Sequence, residues 1–169
     1  MARQLLSAVV VLVLGVSLPS VAKARNLSAL DECQRARVVD YTRDLEQHPL
    51  AKDNLQKRIW LTEWIVNSPE VAVAPYKELD SLEAVNNTYS QQLRMQAMYA
   101  QAAFQLEHPK VKNPAAIQAA GLEGTLRAYR SIQRFDPSAH YPVLDDLMTI
   151  GRKGKLQKYI ERQTKGVED

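Results

Sequence analysis

A single cysteine, Cys33, excludes any internal disulfide, so the fold must stand on packing alone. Cys33 itself is expected to be either a buried or simply unreactive thiol, or an intermolecular bridge. Histidine is nearly as scarce, at His48, His108 and His140. None of the three belongs to a His-x-x-Glu-His, His-Glu-x-x-His or paired-cysteine pattern, so the spacing offers no metal site. No glycine-rich loop follows a strand, no nucleophile motif is present, and Gly151-Arg152-Lys153-Gly154-Lys155 lacks the spacing of a phosphate loop. The acidic pairs Asp31-Glu32 and Asp145-Asp146 are adjacent, which on a helix points the two carboxylates about 100° apart and keeps them from sharing one substrate. These absences leave no catalytic residue, no metal and no cofactor to expect.

A second apolar run is also missing. The only one lies at 5–18, fourteen uncharged residues dominated by Val, Leu and Ala, preceded by Arg3 and broken by Pro19. A spanning helix needs about 20 apolar residues, so this one is too short. With Ala22-Lys23-Ala24 behind it, the segment has the three parts of a secretory signal in order, and cleavage is expected between Ala24 and Arg25. Residues 25–169 then form one domain, secreted or periplasmic. Loss of Arg3 and Lys23 lowers the net charge from +3 to +1, which removes the basic excess a nucleic-acid binder needs.

Proline, Asn and Ser divide the rest into helices. The first is expected over 28–47, stopped by His48-Pro49, and the second over 50–66, stopped before Pro69. Leu55, Ile59, Thr62 and Val66 make an i, i+4, i+7, i+11 stripe on the second, the pattern of a buried face. Residues 70–76 read as an extended, buried connector without a partner strand, followed by a short helix over 77–85. A helix capped by Ser90 and running to Glu107 is apolar on two sides, which marks a central element. Asn113 and Pro114 open the next, which reaches Phe135. Within it Gly121 and Gly124 each cost about 1 kcal/mol relative to alanine, which predicts close approach of another backbone. A segment over 141–150 ending at Gly151 and an amphipathic helix over 155–162 complete the chain. Tyr129, Ile132 and Phe135-Asp136-Pro137 resemble, over about ten residues, the end of a tetratricopeptide-repeat helix. The ~34-residue recurrence of that family is missing, so no function comes with the likeness.

Three surface features remain. Trp60 and Trp64 flank the polar arc set by Lys52, Gln56, Glu63 and Asn67 on the second helix. They are covered by the first helix or the connector, or they form a partner surface, for which tryptophan is well suited. Arg58 points into the apolar arc, where it snorkels or pairs with a carboxylate. Arg152, Lys153, Lys155, Lys158 and Arg162 form a basic C-terminal patch that permits, at most, peripheral contact with an anionic membrane or an acidic partner.

The expectation is an all-α domain of five to six helices, packed as hairpins after a signal peptide. Its core is expected to draw on Leu55, Ile59, Val66, Leu93, Ala100, Phe104, Leu122, Leu126, Tyr129 and Ile132. The expected function is a non-enzymatic interaction module with a protein partner, or a homo-oligomer, in the cell envelope or extracellular space. The alternatives are an enzyme whose residues meet only in the fold, for instance His108 with Glu63 or Asp53, and an accessory protein anchored by an uncut 1–24 segment.

Overall fold

The computed structural model describes residues 20–84 and 89–165. The apolar run and Pro19 of the expected signal lie outside the described residues. The elements are α1 (Ser20–Gln47), α2 (Asn54–Asn67), a 3-10 turn (Lys77–Leu79), the single-turn α3 (Ser81–Ala84), α4 (Ser90–Glu107), α5 (Pro114–Phe135), α6 (Pro142–Arg152) and α7 (Leu156–Lys165). Among the described residues every regular element is helical, six of them ten residues or longer. The all-α expectation therefore holds, and the architecture is a helical bundle.

The two His-Pro stops build the same turn. The His48 amide donates to the Asp44 carbonyl at 2.7 Å and the Ala51 amide donates back to the His48 carbonyl at 3.1 Å. His108 repeats this with Phe104 and Val111 at 2.8 and 2.9 Å. Each proline forbids a further helical turn, so α1 folds back onto α2 and α4 onto α5. Asn113 caps α5 as expected: its side-chain oxygen accepts from the Ala115 amide at 2.9 Å, with Pro114 at the first helical position. At the α1–α2 turn Lys57 bridges Asp44 and Asp53, at 2.6 Å to each. That hydrogen bond to Lys57 holds the Asp44 carboxyl below its ordinary pKa.

α4 is the central helix, as its two apolar sides imply. Leu93 and Ala97 join α5, α6, α7 and the Tyr76–Leu82 segment in one cluster, with Leu122, Leu126, Tyr129, Ile132, Leu144, Leu156 and Ile160. Tyr99 and Ala102 join the other, with Val38 and Leu45 of α1 and Leu61 and Ile65 of α2. α4 and α5 pack on each other most extensively, and both interior glycines lie in that seam. A Cβ on Gly121 would meet the Ala97 carbonyl oxygen at 2.7 Å, and one on Gly124 would collide with the Ala100 Cβ. The expected close approach of another backbone is thus present at Gly121, while at Gly124 the crowding comes from the side chains of Ala100 and Glu46, with the Ala100 Cα at 3.7 Å.

The connector over 71–76 solves its hydrogen-bonding problem without a strand. Gln105 accepts from the Ala72 amide and donates to its carbonyl, at 3.2 and 2.9 Å. Gln101 does the same for Ala74, at 3.1 and 2.7 Å. Two glutamines one turn apart on α4 stand in for the neighbouring strand a buried backbone would need. The connector is half-buried rather than buried, with Ala72 exposed.

Several expectations need correction. Leu55, Ile59 and Val66 are not core residues: they are 64%, 43% and 77% exposed. α2 is apolar almost all round, and it buries Leu61 and Ile65 instead, the side that carries both tryptophans and therefore the larger apolar area. Phe104 is half-buried, packed at a tilt against the His108 ring with centroids 4.7 Å apart. Cys33 is exposed, so the buried-thiol reading fails. α1 begins at Ser20 rather than 28, and Ser90 is the first residue of α4 rather than its cap, a position held by Tyr89. Gly151 lies inside α6. The glycine that turns the chain is Gly154, at φ +63°, in the left-handed region that only glycine enters freely.

Candidate functional site

Three grooves on the bundle gather charged and aromatic side chains. The largest, about 690 Å³, runs between the end of α1 and α5 and is walled by Arg43, Arg127, Arg130 and Arg134. Its floor is Glu46, only 3% exposed, which accepts from Arg127 at 2.7 and 3.0 Å and from Arg43 at 2.9 Å. Arg43 also reaches Glu107 at 2.6 Å. Burial works against the charge on Arg127, and the Glu46 hydrogen bond and charge overcome it, leaving that guanidinium's pKa above its ordinary value. The groove's innermost cations are therefore satisfied within the protein, and their task is to tie α1 to α5.

The second groove, about 360 Å³, holds the tryptophans beside Asp31, Gln34, Glu63 and Glu70. Both rings are half-buried against α1. Trp64 donates its indole N–H to Gln34 at 3.2 Å. Tyr41 packs edge-on to Trp60 with centroids 5.5 Å apart, and the Arg37 guanidinium lies 5.3 Å above the same ring. The polar handle of one ring and a face of the other are thus engaged inside the molecule, and the first helix is the element that covers them.

The third groove, about 510 Å³, lies between α2 and α4. Leu55 and Ile59 form one wall, Met95 and Tyr99 the other, with Thr62, Gln91, Gln92 and Glu63 along the rim. Arg58 enters from the α2 side. Its Nη2 donates to the Pro49 carbonyl at 2.7 Å and to the Gln92 side-chain oxygen at 3.3 Å. Among the described residues it has no carboxylate in ion-pair range, so it snorkels rather than pairs. Burial pulls its pKa down, and only the charge of a Tyr99 phenolate would act the other way. Behind it, Tyr99 and Thr62 share a hydrogen bond of 3.0 Å, and both hydroxyls reach the Arg58 carbonyl, at 3.2 and 2.8 Å. Burial pushes the Tyr99 hydroxyl pKa up, so it stays a neutral donor. Volume, apolar lining and a few convergent polar groups are what a small-ligand site requires.

Of the sequence candidates, the structure brings Arg58 into this groove and leaves Trp60 and Trp64 on the adjoining face. Gln91, Gln92, Met95 and Tyr99 were not foreseen; they join the site only because α4 crosses α2, which no local pattern announces. Arg152, Lys153, Lys155, Lys158 and Arg162 are all exposed around the α6–α7 turn, away from the three grooves. The three residues that would have marked an active site have other neighbours: His108 packs tilted against Phe104, Asp53 pairs with Lys57, and Glu63 lines the grooves of α2. Among the described residues there is no cluster of three metal-ligating side chains, and no helix is long and apolar enough to cross a membrane. No family model, no curated protein and no solved structure matches the chain.

Proposed function

We propose that this chain is an exported, non-enzymatic binding module that seats an apolar partner in the groove between α2 and α4. The observation that carries the reading is the outward face of α2. Leu55 and Ile59, which line the groove, and Val66 beyond Thr62 share one face over three helical turns, and a large share of each side chain lies in water. Covering a Val, Leu or Ile side chain fully returns about 1.5–3 kcal/mol, so an open stripe beside a groove is a standing incentive to bind. Export is supported by the order of Arg3, the apolar run and Ala22-Lys23-Ala24.

Two measurements test the two halves. Intact-mass analysis of the protein from its native host should give a chain beginning at Arg25; one beginning at Met1 removes the export claim. The neutral dye Nile red should brighten in the presence of the purified domain. Ile59→Asp should cut that signal about tenfold, the order expected for losing one apolar contact of this size. Because 43% of Ile59 already lies in water, the thermal midpoint should fall by only a few degrees. Unchanged dye binding in that variant, with the fold intact, excludes the groove.

A further inference from the structure

Resting on that reading of the groove, we propose that its ligand is a single-chain amphiphilic carboxylate, a free fatty acid, held with its headgroup on Arg58 and its alkyl chain along Ile59 and Met95. The stripe alone would take any apolar partner. What narrows the choice is the charge at one end of it. A guanidinium offers five N–H donors in a planar fork, and here only Nη2 is engaged, by a carbonyl and an amide oxygen, neither of them charged. Arg35 meets Glu70, Arg43 meets Glu46 and Glu107, and Arg127 meets Glu46, whereas the arginines tied only to neutral oxygens, Arg152 and Arg162, are exposed and Arg58 is half-buried. A half-buried cation without a counter-ion is costly unless something else supplies the negative charge. A carboxylate is the planar acceptor that fits the fork.

The remaining groups set the ligand's direction. Glu63 also lines the groove and repels an anion, and Arg58, five residues earlier on α2, is the one cation in that lining, so the headgroup sits at Arg58. Gln91 and Gln92 stand in the same lining with side-chain amides able to donate a further hydrogen bond. The apolar part of the lining is Leu55, Ile59 and Met95, surfaces that an alkyl chain covers and a polar polymer would not. Met95 is unbranched and adapts to chains of different length.

The experiment compares three probes of one chain length, dodecanoate, dodecanol and dodecylamine, each titrated below its aggregation limit against the domain at neutral pH. Dodecanoate is expected to bind about tenfold more tightly than dodecanol, the worth of one charge-assisted contact, and dodecylamine more weakly than either. Arg58→Leu should erase the preference for dodecanoate while leaving dodecanol binding in place. Arg58→Lys, which keeps the charge without the fork, should recover part of it, and this guards against a variant that has merely lost its fold. Equal affinity for the three headgroups, or a preference that survives Arg58→Leu, overturns the fatty-acid assignment while leaving the apolar groove standing. Loss of all binding in Ile59→Asp together with full headgroup indifference in the parent separates the two claims. If sedimentation shows a dimer that Ile59→Asp dissolves, a second copy fills the groove and the assignment falls; saturable binding of an amphipathic helical peptide with no response to dodecanoate overturns it as well.

Discussion

Gly121→Ala is expected to destabilise the protein by about 2 kcal/mol, although the same change in an isolated helix would stabilise it by about 1 kcal/mol. The reason is geometric. A Cβ at this position meets the Ala97 carbonyl oxygen at 2.7 Å and Gln101 Cγ at 2.9 Å, and it collides with the Tyr76 hydroxyl. The first obstacle is backbone and cannot swing aside. The last is a hydroxyl that donates to the Gln118 carbonyl at 2.6 Å and so holds the connector on α5. Accommodating one methyl therefore means pushing α4 and α5 apart along the most extensive contact in the bundle. Gly151→Ala is the control. There the new Cβ meets only leucine tips, Leu156 Cδ1 at 3.3 Å and Leu126 Cδ1 at 3.5 Å. Both are flexible ends, so the helix-propensity gain of about 1 kcal/mol should survive in part. Urea unfolding with an unchanged slope would report both effects as shifts in midpoint. A Gly121→Ala protein at least as stable as the parent would show that the α4–α5 seam is looser than these distances say.

The two glycines also show how far the chain could be read in advance. Their cost in a helix is a local property, and the inference of a close neighbour followed from it; which backbone approaches did not. The same boundary recurs elsewhere. Asn113-Pro114 and the two His-Pro pairs announce helix ends through steric and hydrogen-bonding rules that act within a few residues, and the ends fall there. α2 is different. Leu55, Ile59, Trp60, Leu61, Trp64, Ile65 and Val66 leave almost no side without an apolar residue, so periodicity cannot select the buried face. That choice is made by α1, which supplies Gln34 for the Trp64 indole and Tyr41 and Arg37 for Trp60. Once the tryptophan side is committed, the aliphatic stripe is left facing out, and the candidate site is the consequence. The fold was thus legible where a proline enforces the boundary, and less so where a residue only prefers it, as at Ser90 and Gly151, both of which lie inside their helices. The site was not, because Arg58 meets Gln92, 34 residues further along the chain.

Glu46 is the second position where a large effect is expected. In sequence it is an ordinary polar residue near the end of a helix; in the fold it is a buried carboxylate that joins Arg43 of its own helix to Arg127 of α5. Gly124 makes room for it, since a Cβ there would lie 2.8 Å from the carboxylate oxygen. Glu46→Ala removes the shared acceptor and leaves two guanidiniums facing each other over a void. Removing one partner of a buried pair costs about 3–5 kcal/mol. Here Arg43 and Arg127 keep 33% and 41% of their side chains in water, so part of their charge can be rehydrated. The expected loss is about 2–3 kcal/mol. Glu46→Gln keeps one acceptor oxygen and should lose less. The double variant Glu46→Leu with Arg127→Met should recover most of the stability, because a matched apolar pair leaves only Arg43 to turn outward, to Glu107. If Glu46→Leu alone were as stable as the parent, the carboxylate would be incidental to the α1–α5 contact. Salt gives an independent reading: an exposed pair such as Arg35 with Glu70 should weaken between low and molar ionic strength, whereas the penalty for losing Glu46 should persist, since a carboxylate shielded from water is screened far less.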